Sequence, residues 1–117
     1  MRLHVDLEVA EGLHIYGAPI SDGYTALKIE ITTFEGLTAE QAKLPDPKPF
    51  RVEGLDEDFV VYEGHIDASI PFSIDGTPGD VTLAVTIRYQ ACSEVECFPP
   101  TSLLLNLPLS GQDLIRD

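Results

Sequence analysis

The sequence predicts an all-β fold, an antiparallel sandwich, and three observations predict it. Apolar and polar residues alternate with a period of two in run after run, which is the period of half-buried strands. About seven such runs follow one another at short intervals, with clusters of Gly and Pro between them. No stretch sustains the 3.6-residue period long enough for a helix of useful length. A small barrel is the alternative closure of the same strands.

Leu3, Val5, Leu7 and Val9 alternate with Arg2, His4, Asp6 and Glu8, so residues 2 to 9 form the first strand with Leu3 and Val5 inside. Glu11-Gly12 turns the chain into Leu13-His14-Ile15-Tyr16, a short strand with His14 and Tyr16 on one face, and Gly17-Ala18-Pro19 ends it. After Ser21-Asp22-Gly23, Leu27, Ile29 and Ile31 oppose Lys28, Glu30 and Thr32 in a third strand. Periodicity then disappears from Phe34 to Asp58, where Pro45, Pro47 and Pro49 forbid a continuous central strand or helix. This segment is expected to be irregular, either a flap over something or a surface connection, with a single helical turn at residues 38 to 43.

Phe59 to Tyr62 is rich in β-formers, and Ile66, Ala68, Ile70 and Phe72 then oppose His65, Asp67 and Ser69. That reads as one long or interrupted strand with Gly64 as its bulge. The turn residues from Asp75 to Asp80 lead into a strand in which Val81, Leu83, Val85, Ile87 and Tyr89 share the inner face. On this register Cys92 falls in the polar set, facing solvent or a covering loop. Residues 101 to 109 put Leu103, Leu105, Leu107 and Leu109 on one face, and Pro108 marks an edge or strand end. The expected core comprises Leu3, Val5, Leu27, Ile29, Ile31, Val85, Ile87 and Leu105.

At 117 residues and 44% hydrophobic, the chain has the size of one self-sufficient domain and does not need a disulfide to fold. Its abrupt start and charged ending suggest a domain excised from a longer protein. Twenty acidic against seven basic residues give a net charge of −13, which repels nucleic acid and anionic membranes. No apolar run approaches the roughly 18 residues of a membrane span. Met1-Arg2-Leu3-His4 leads into a strand pattern instead of a signal peptide.

The most purposeful stretch is YQACSEVECFPP at residues 89 to 100, which holds both cysteines. A bridge between Cys92 and Cys97 closes so short a loop that the chain-entropy gain is only about 2 kcal/mol, toward the low end for disulfides. Redox activity is therefore the first reading, a static clasp the second, and free thiols or a metal site the last. Zinc would need four ligands at characteristic spacing, and the chain offers one cysteine pair and three scattered histidines. A thioredoxin-type motif is absent, since it requires two residues between the cysteines. Glu94 and Glu96 should raise the thiol pKa, so activation must come from a neighbour or a docked partner. His14 and Tyr16 are candidates for that neighbour, one as proton acceptor and one as hydrogen-bond donor. Phe59 and Phe50 are the aromatics able to cover a reactive sulfur from the irregular segment.

Three places in the chain resemble the N-terminal periplasmic domain of the thiol:disulfide interchange protein DsbD and related redoxin-fused domains. They are Gly12-Leu13-His14-Ile15-Tyr16, Val61-Tyr62-Glu63-Gly64, and Tyr89-Gln90-Ala91-Cys92 with Cys97-Phe98-Pro99-Pro100. The resemblance implies an immunoglobulin-like sandwich over residues 1–117 and a Cys92–Cys97 redox pair with His14 and Tyr16 beside it. It further implies a cap whose phenylalanine shields the disulfide, with no cofactor. The function it implies is passage of reducing equivalents between thioredoxin-like protein partners in the periplasm or another exported location, with Cys97 forming the mixed disulfide. The rival reading is a non-catalytic immunoglobulin-like interaction module in which the same disulfide is only a clasp.

Overall fold

The computed structural model describes residues 1–18, 20, 23–50, 59–75, 81–93 and 95–109. Among these residues ten strands follow in order: β1 (Arg2–Glu8), β2 (His14–Tyr16), β3 (Lys28–Ile31), β4 (Leu37–Ala39), β5 (Lys48–Phe50), β6 (Phe59–Tyr62), β7 (His65–Ile74), β8 (Val81–Tyr89), β9 (Ala91–Cys92) and β10 (Thr101–Leu109). They form three antiparallel sheets ordered β1-β7-β4, β10-β8-β3 and β5-β6-β2-β9. Among the described residues there is no helix, and so none long and apolar enough to cross a membrane.

The alternation in the sequence sets the packing. Ile66, Ala68, Ile70 and Phe72 of β7 and Leu83, Val85 and Ile87 of β8 are buried in one cluster with Leu27, Ile29 and Ile31. Leu3, Val5 and Leu7 of β1 lie half-buried against that cluster, while Arg2, His4, Asp6 and Glu8 face solvent, so the first strand has the expected register. A slip of one residue would have exchanged those faces.

Four expectations need correction. Residues 38 to 43 contain no helical turn: β4 pairs with the end of β7, Thr38 opposite Ser73, and Lys43 exchanges backbone hydrogen bonds with Ser69. An edge of β7 left open for pairing offers these backbone groups more partners than one isolated turn could. Gly64 is not a bulge within one strand but the corner between β6 and β7, which belong to different sheets. Its φ of 68° is the left-handed conformation that glycine adopts without a steric penalty. Leu3 and Val5 are half-buried where full burial was expected, because β1 is an edge strand. Leu105 is 50% exposed, with Leu103, Leu104 and Leu107 exposed beside it. Leu105 sits opposite the buried Val85, but β10 is the outer strand of its sheet and none of these leucines joins the core cluster. The turn residues 76 to 80 and the acidic run Asp56-Glu57-Asp58 lie outside the described residues.

Candidate functional site

The four-stranded sheet β5-β6-β2-β9 has an apolar face on each side. Successive strand residues point to opposite faces, and here Ile15 and Tyr62 join the main core while Tyr16 and Val61 join a second cluster with Phe59 and Cys92. Tyr16 is opposite Val61 and Ile15 opposite Tyr62, so the register keeps the two sets apart. Ile20, Tyr24, Phe50 and Cys97 pack against the second cluster. Tyr62 is fixed from the other side: its hydroxyl donates to the carbonyl of Pro45 at 2.8 Å. Burial pushes its phenol above 10.0, and the Asp46 carboxylate adds to the rise. Gly17 must stay small here, since a Cβ would lie 2.9 Å from Cβ of Pro47.

Cys92 and Cys97 form a disulfide with their Cα atoms 4.0 Å apart. The amide of Ser93 donates to the carbonyl of Glu96 and that of Phe98 to the carbonyl of Ala91, both flanking the pair. The cysteines thus occupy a non-hydrogen-bonded site of a β-hairpin, where facing residues approach most closely. Ser93 closes the loop between them, its Oγ accepting from the amides of Val95 and Glu96. Val95 at the tip is 77% exposed, and Phe98, Pro99 and Pro100 are exposed beyond Cys97.

Cys92 does not face solvent as its place in the alternation predicted; its exposure is 0%. The inner face of β8 carries odd-numbered residues through Ile87, but the chain leaves that sheet at Gln90 and joins β2 as β9, after which the even-numbered Gln90 and Cys92 are inside. Gln90 makes the change possible. Its Oε1 accepts from the amide of Thr25 at 2.9 Å and its Nε2 donates to the carbonyl of Phe98 at 3.1 Å, so a buried amide is satisfied at both ends.

Both candidate neighbours lie at the disulfide. The Tyr16 hydroxyl is 3.0 Å from Sγ of Cys97 and is the donor here, because a disulfide sulfur carries no proton. His14 is the direct cross-strand partner of Cys92. Its ring stacks on Phe50 at 4.2 Å, and its Nε2 lies 3.1 Å from Oε2 of Glu63. The Phe59 ring is 5.0 Å from that of Tyr16 and 5.2 Å from that of Tyr24. Both cap candidates pack in the sulfur cluster, Phe59 from β6 and Phe50 from β5, and the segment 51–58 that joins them lies outside the described residues. Sequence reasoning assigned no role to Gln90, Tyr24 or Glu63. The signal available for Glu63 was its place two residues beyond Val61 on the face that turns toward the cysteines.

On the outer surface of β1 and β7, the exposed Asp6, His65 and Asp67 bring one ligand atom each within 4.8 Å of one another. Hydrogen bonding to Asp67 holds the His65 pKa above 6.5; side-chain hydrogen bonding with Asp67 raises Asp6, and hydrogen bonding to Asp6 and His65 lowers Asp67. This cross-strand ion cluster shares no residue with the disulfide site.

Residues 1–108 match the family described as thiol:disulfide interchange protein DsbD, N-terminal. The DsbD n-terminal domain of Neisseria meningitidis in its reduced form superposes with a TM-score of 0.63 at 16% identity, over 92% of this chain and 76% of that one. The N-terminal periplasmic domain of ScsB from Proteus mirabilis gives 0.61 at 22% identity, over 91% of this chain and 39% of that one. Both likenesses show the immunoglobulin-like all-β fold. No curated protein sequence matches.

Proposed function

This chain belongs to the family of thiol:disulfide interchange protein DsbD N-terminal domains, and on that premise we propose that its Cys92–Cys97 disulfide passes reducing equivalents between thioredoxin-like protein partners in the periplasm or another exported location. The observation that carries the reading is the asymmetry of the two sulfurs: Cys92 is fully enclosed, whereas Cys97 is half-buried at a rim of exposed Val95, Phe98, Pro99 and Pro100. An incoming thiolate therefore meets Cys97 first. That apolar rim suits a protein partner, and pairing through it needs no bound cofactor.

The exchange balances without a third reactant. A partner thiolate attacks Sγ of Cys97, the S–S bond breaks, and Cys92 leaves as a thiolate that takes up a proton. The partner's second thiolate then attacks the partner sulfur of the mixed disulfide and releases Cys97, which is protonated in turn. Two electrons and two protons have moved from a dithiol to this disulfide, and the reverse sequence hands them to a partner disulfide. The Tyr16 hydroxyl, already on Cys97, is placed to stabilise that sulfur as it gains negative charge.

The complete burial of Cys92 is what favours the rival reading, a clasp in an interaction module. A redox titration together with trapping separates the two. Cys92→Ser should accumulate a covalent complex with a thioredoxin-like domain through Cys97, while Cys97→Ser should not. A potential below about −300 mV with no trapping by either variant would mean a structural bridge.

A further inference from the structure

Among the described residues, one buried side-chain nitrogen or oxygen has no hydrogen-bond partner, and it is Nδ1 of His14. Such an atom in an otherwise satisfied interior calls for an explanation. His14 is directly opposite Cys92 across the β2–β9 pair, so the two side chains share one face with Cβ atoms about 5 Å apart. The ring cannot turn freely to solve the problem. Phe50 stacks on it, only 13% of the side chain is exposed, and Nε2 is held by Glu63. Glu63 is itself held, with Oε2 on His14 and Oε1 3.4 Å from Nζ of Lys48.

We propose that Glu63 is a positioning residue for thiol exchange: by accepting the Nε2–H of His14 it leaves the Nδ1 lone pair bare beside Cys92, to receive the proton that Cys92 gives up when it resolves a mixed disulfide. The inference rests on the exchange reading above. It follows from the two-nitrogen chemistry of a neutral imidazole, in which a proton fixed on one nitrogen makes the other an acceptor. A carboxylate accepts only, so it dictates which nitrogen keeps the proton. In the oxidised protein the Cys92 sulfur has no hydrogen to donate and Nδ1 stays unsatisfied. Reduction supplies the missing S–H donor on the same strand pair.

The step is conserved in atoms and electrons. With Cys97 joined to a partner sulfur, the Cys92 thiol passes its proton to Nδ1, and the Cys92 thiolate attacks Sγ of Cys97. The mixed disulfide breaks, the partner leaves as a thiolate, and the imidazolium returns the proton to it or to solvent. One disulfide is lost and one formed.

The test uses reduced protein mixed with an aryl disulfide, which releases one aryl thiol when Cys97 attacks and a second when Cys92 resolves the adduct. Ring 15N spectra of His14 report its tautomer alongside. Glu63→Lys presents only donors to Nε2, so the proton should move to Nδ1 and the second release should slow by about tenfold or more. Added positive charge alone would promote thiolate formation and act in the opposite direction. Glu63→Gln can still accept through its amide oxygen and should keep the tautomer, with a second release within about threefold of the parent. Glu63 is 47% exposed, a position at which neither change threatens folding. An unchanged tautomer or an unslowed second release in Glu63→Lys overturns the proposal, as does equal slowing in Glu63→Gln. If the parent protein itself releases no second thiol, the exchange reading falls and not merely the role of Glu63.

Discussion

Ile15 and Tyr16 are joined by one peptide bond and enter two different interiors. Ile15 faces a cluster built mainly from aliphatic side chains, in which the buried members of β3, β7 and β8 are Ile, Leu, Val, Ala and one Phe. Tyr16 faces a smaller cluster of rings and sulfur, edged by His14 and Gln90, with hydrogen bonds reaching into it. The first interior uses non-directional burial, which tolerates a slow trade of one aliphatic for another. The second depends on where each donor and acceptor sits. One short sheet thus divides what keeps the chain folded from what can react.

Three substitutions probe that division, from the largest effect to the smallest. Leu83→Ala empties a fully buried position of the main core and should cost about 2–5 kcal/mol, read as a lower midpoint in urea. Thiol exchange should keep its rate; a large change would mean that the two interiors are coupled through the sheet. Gln90→Ala should blur the boundary. It strands the Thr25 amide and the Phe98 carbonyl, costing about 1–3 kcal/mol, and frees the hairpin that carries Cys97, so stability and exchange rate should both change. A stable variant with normal exchange would show the amide to be dispensable.

The smallest effect belongs to the outer surface of β1 and β7, which touches neither interior. His65 is held above its ordinary pKa of 6.5 by its hydrogen bond to Asp67. A raised pKa stabilises the folded state fully below 6.5, and the contribution disappears as pH rises through the folded value. The parent protein should therefore lose thermal stability relative to His65→Gln on going from pH 6 toward about pH 8. Exchange kinetics compared between the two proteins at each pH should match. Parallel melting curves against pH would remove any role for the His65–Asp67 pair.

The main core was legible in the sequence because alternation is a physical record of which side faces water. Leu27, Ile29, Ile31, Val85 and Ile87 are inside as their periodicity required. The record fails where a strand changes sheet. Parity counted from Val81 put Cys92 outside, but the departure at Gln90 resets it, and no local residue type announces the reset except a glutamine that finds two backbone partners. It fails again at an edge, where Leu105 has the right parity but lies on the outer strand of its sheet and is 50% exposed. The cysteine pair, His14 and Tyr16 could be singled out by residue type and spacing. Glu63 and Gln90 could not, since their contacts are made with residues 49 and 65 positions away: His14 for the first, Thr25 for the second.

The two phenylalanines of the sulfur-containing cluster hang from supports of unequal strength. Phe59 begins β6, a strand paired on both sides and anchored from behind by Tyr62 in the main core, so withdrawing it means tearing the middle of a sheet. Phe50 ends β5, three residues long, outermost in that sheet and bearing Pro49, which has no amide hydrogen to contribute to the pairing. β5 therefore holds Phe50 against His14 with less pairing than β6 gives Phe59, so of the two rings Phe50 rests on the weaker support.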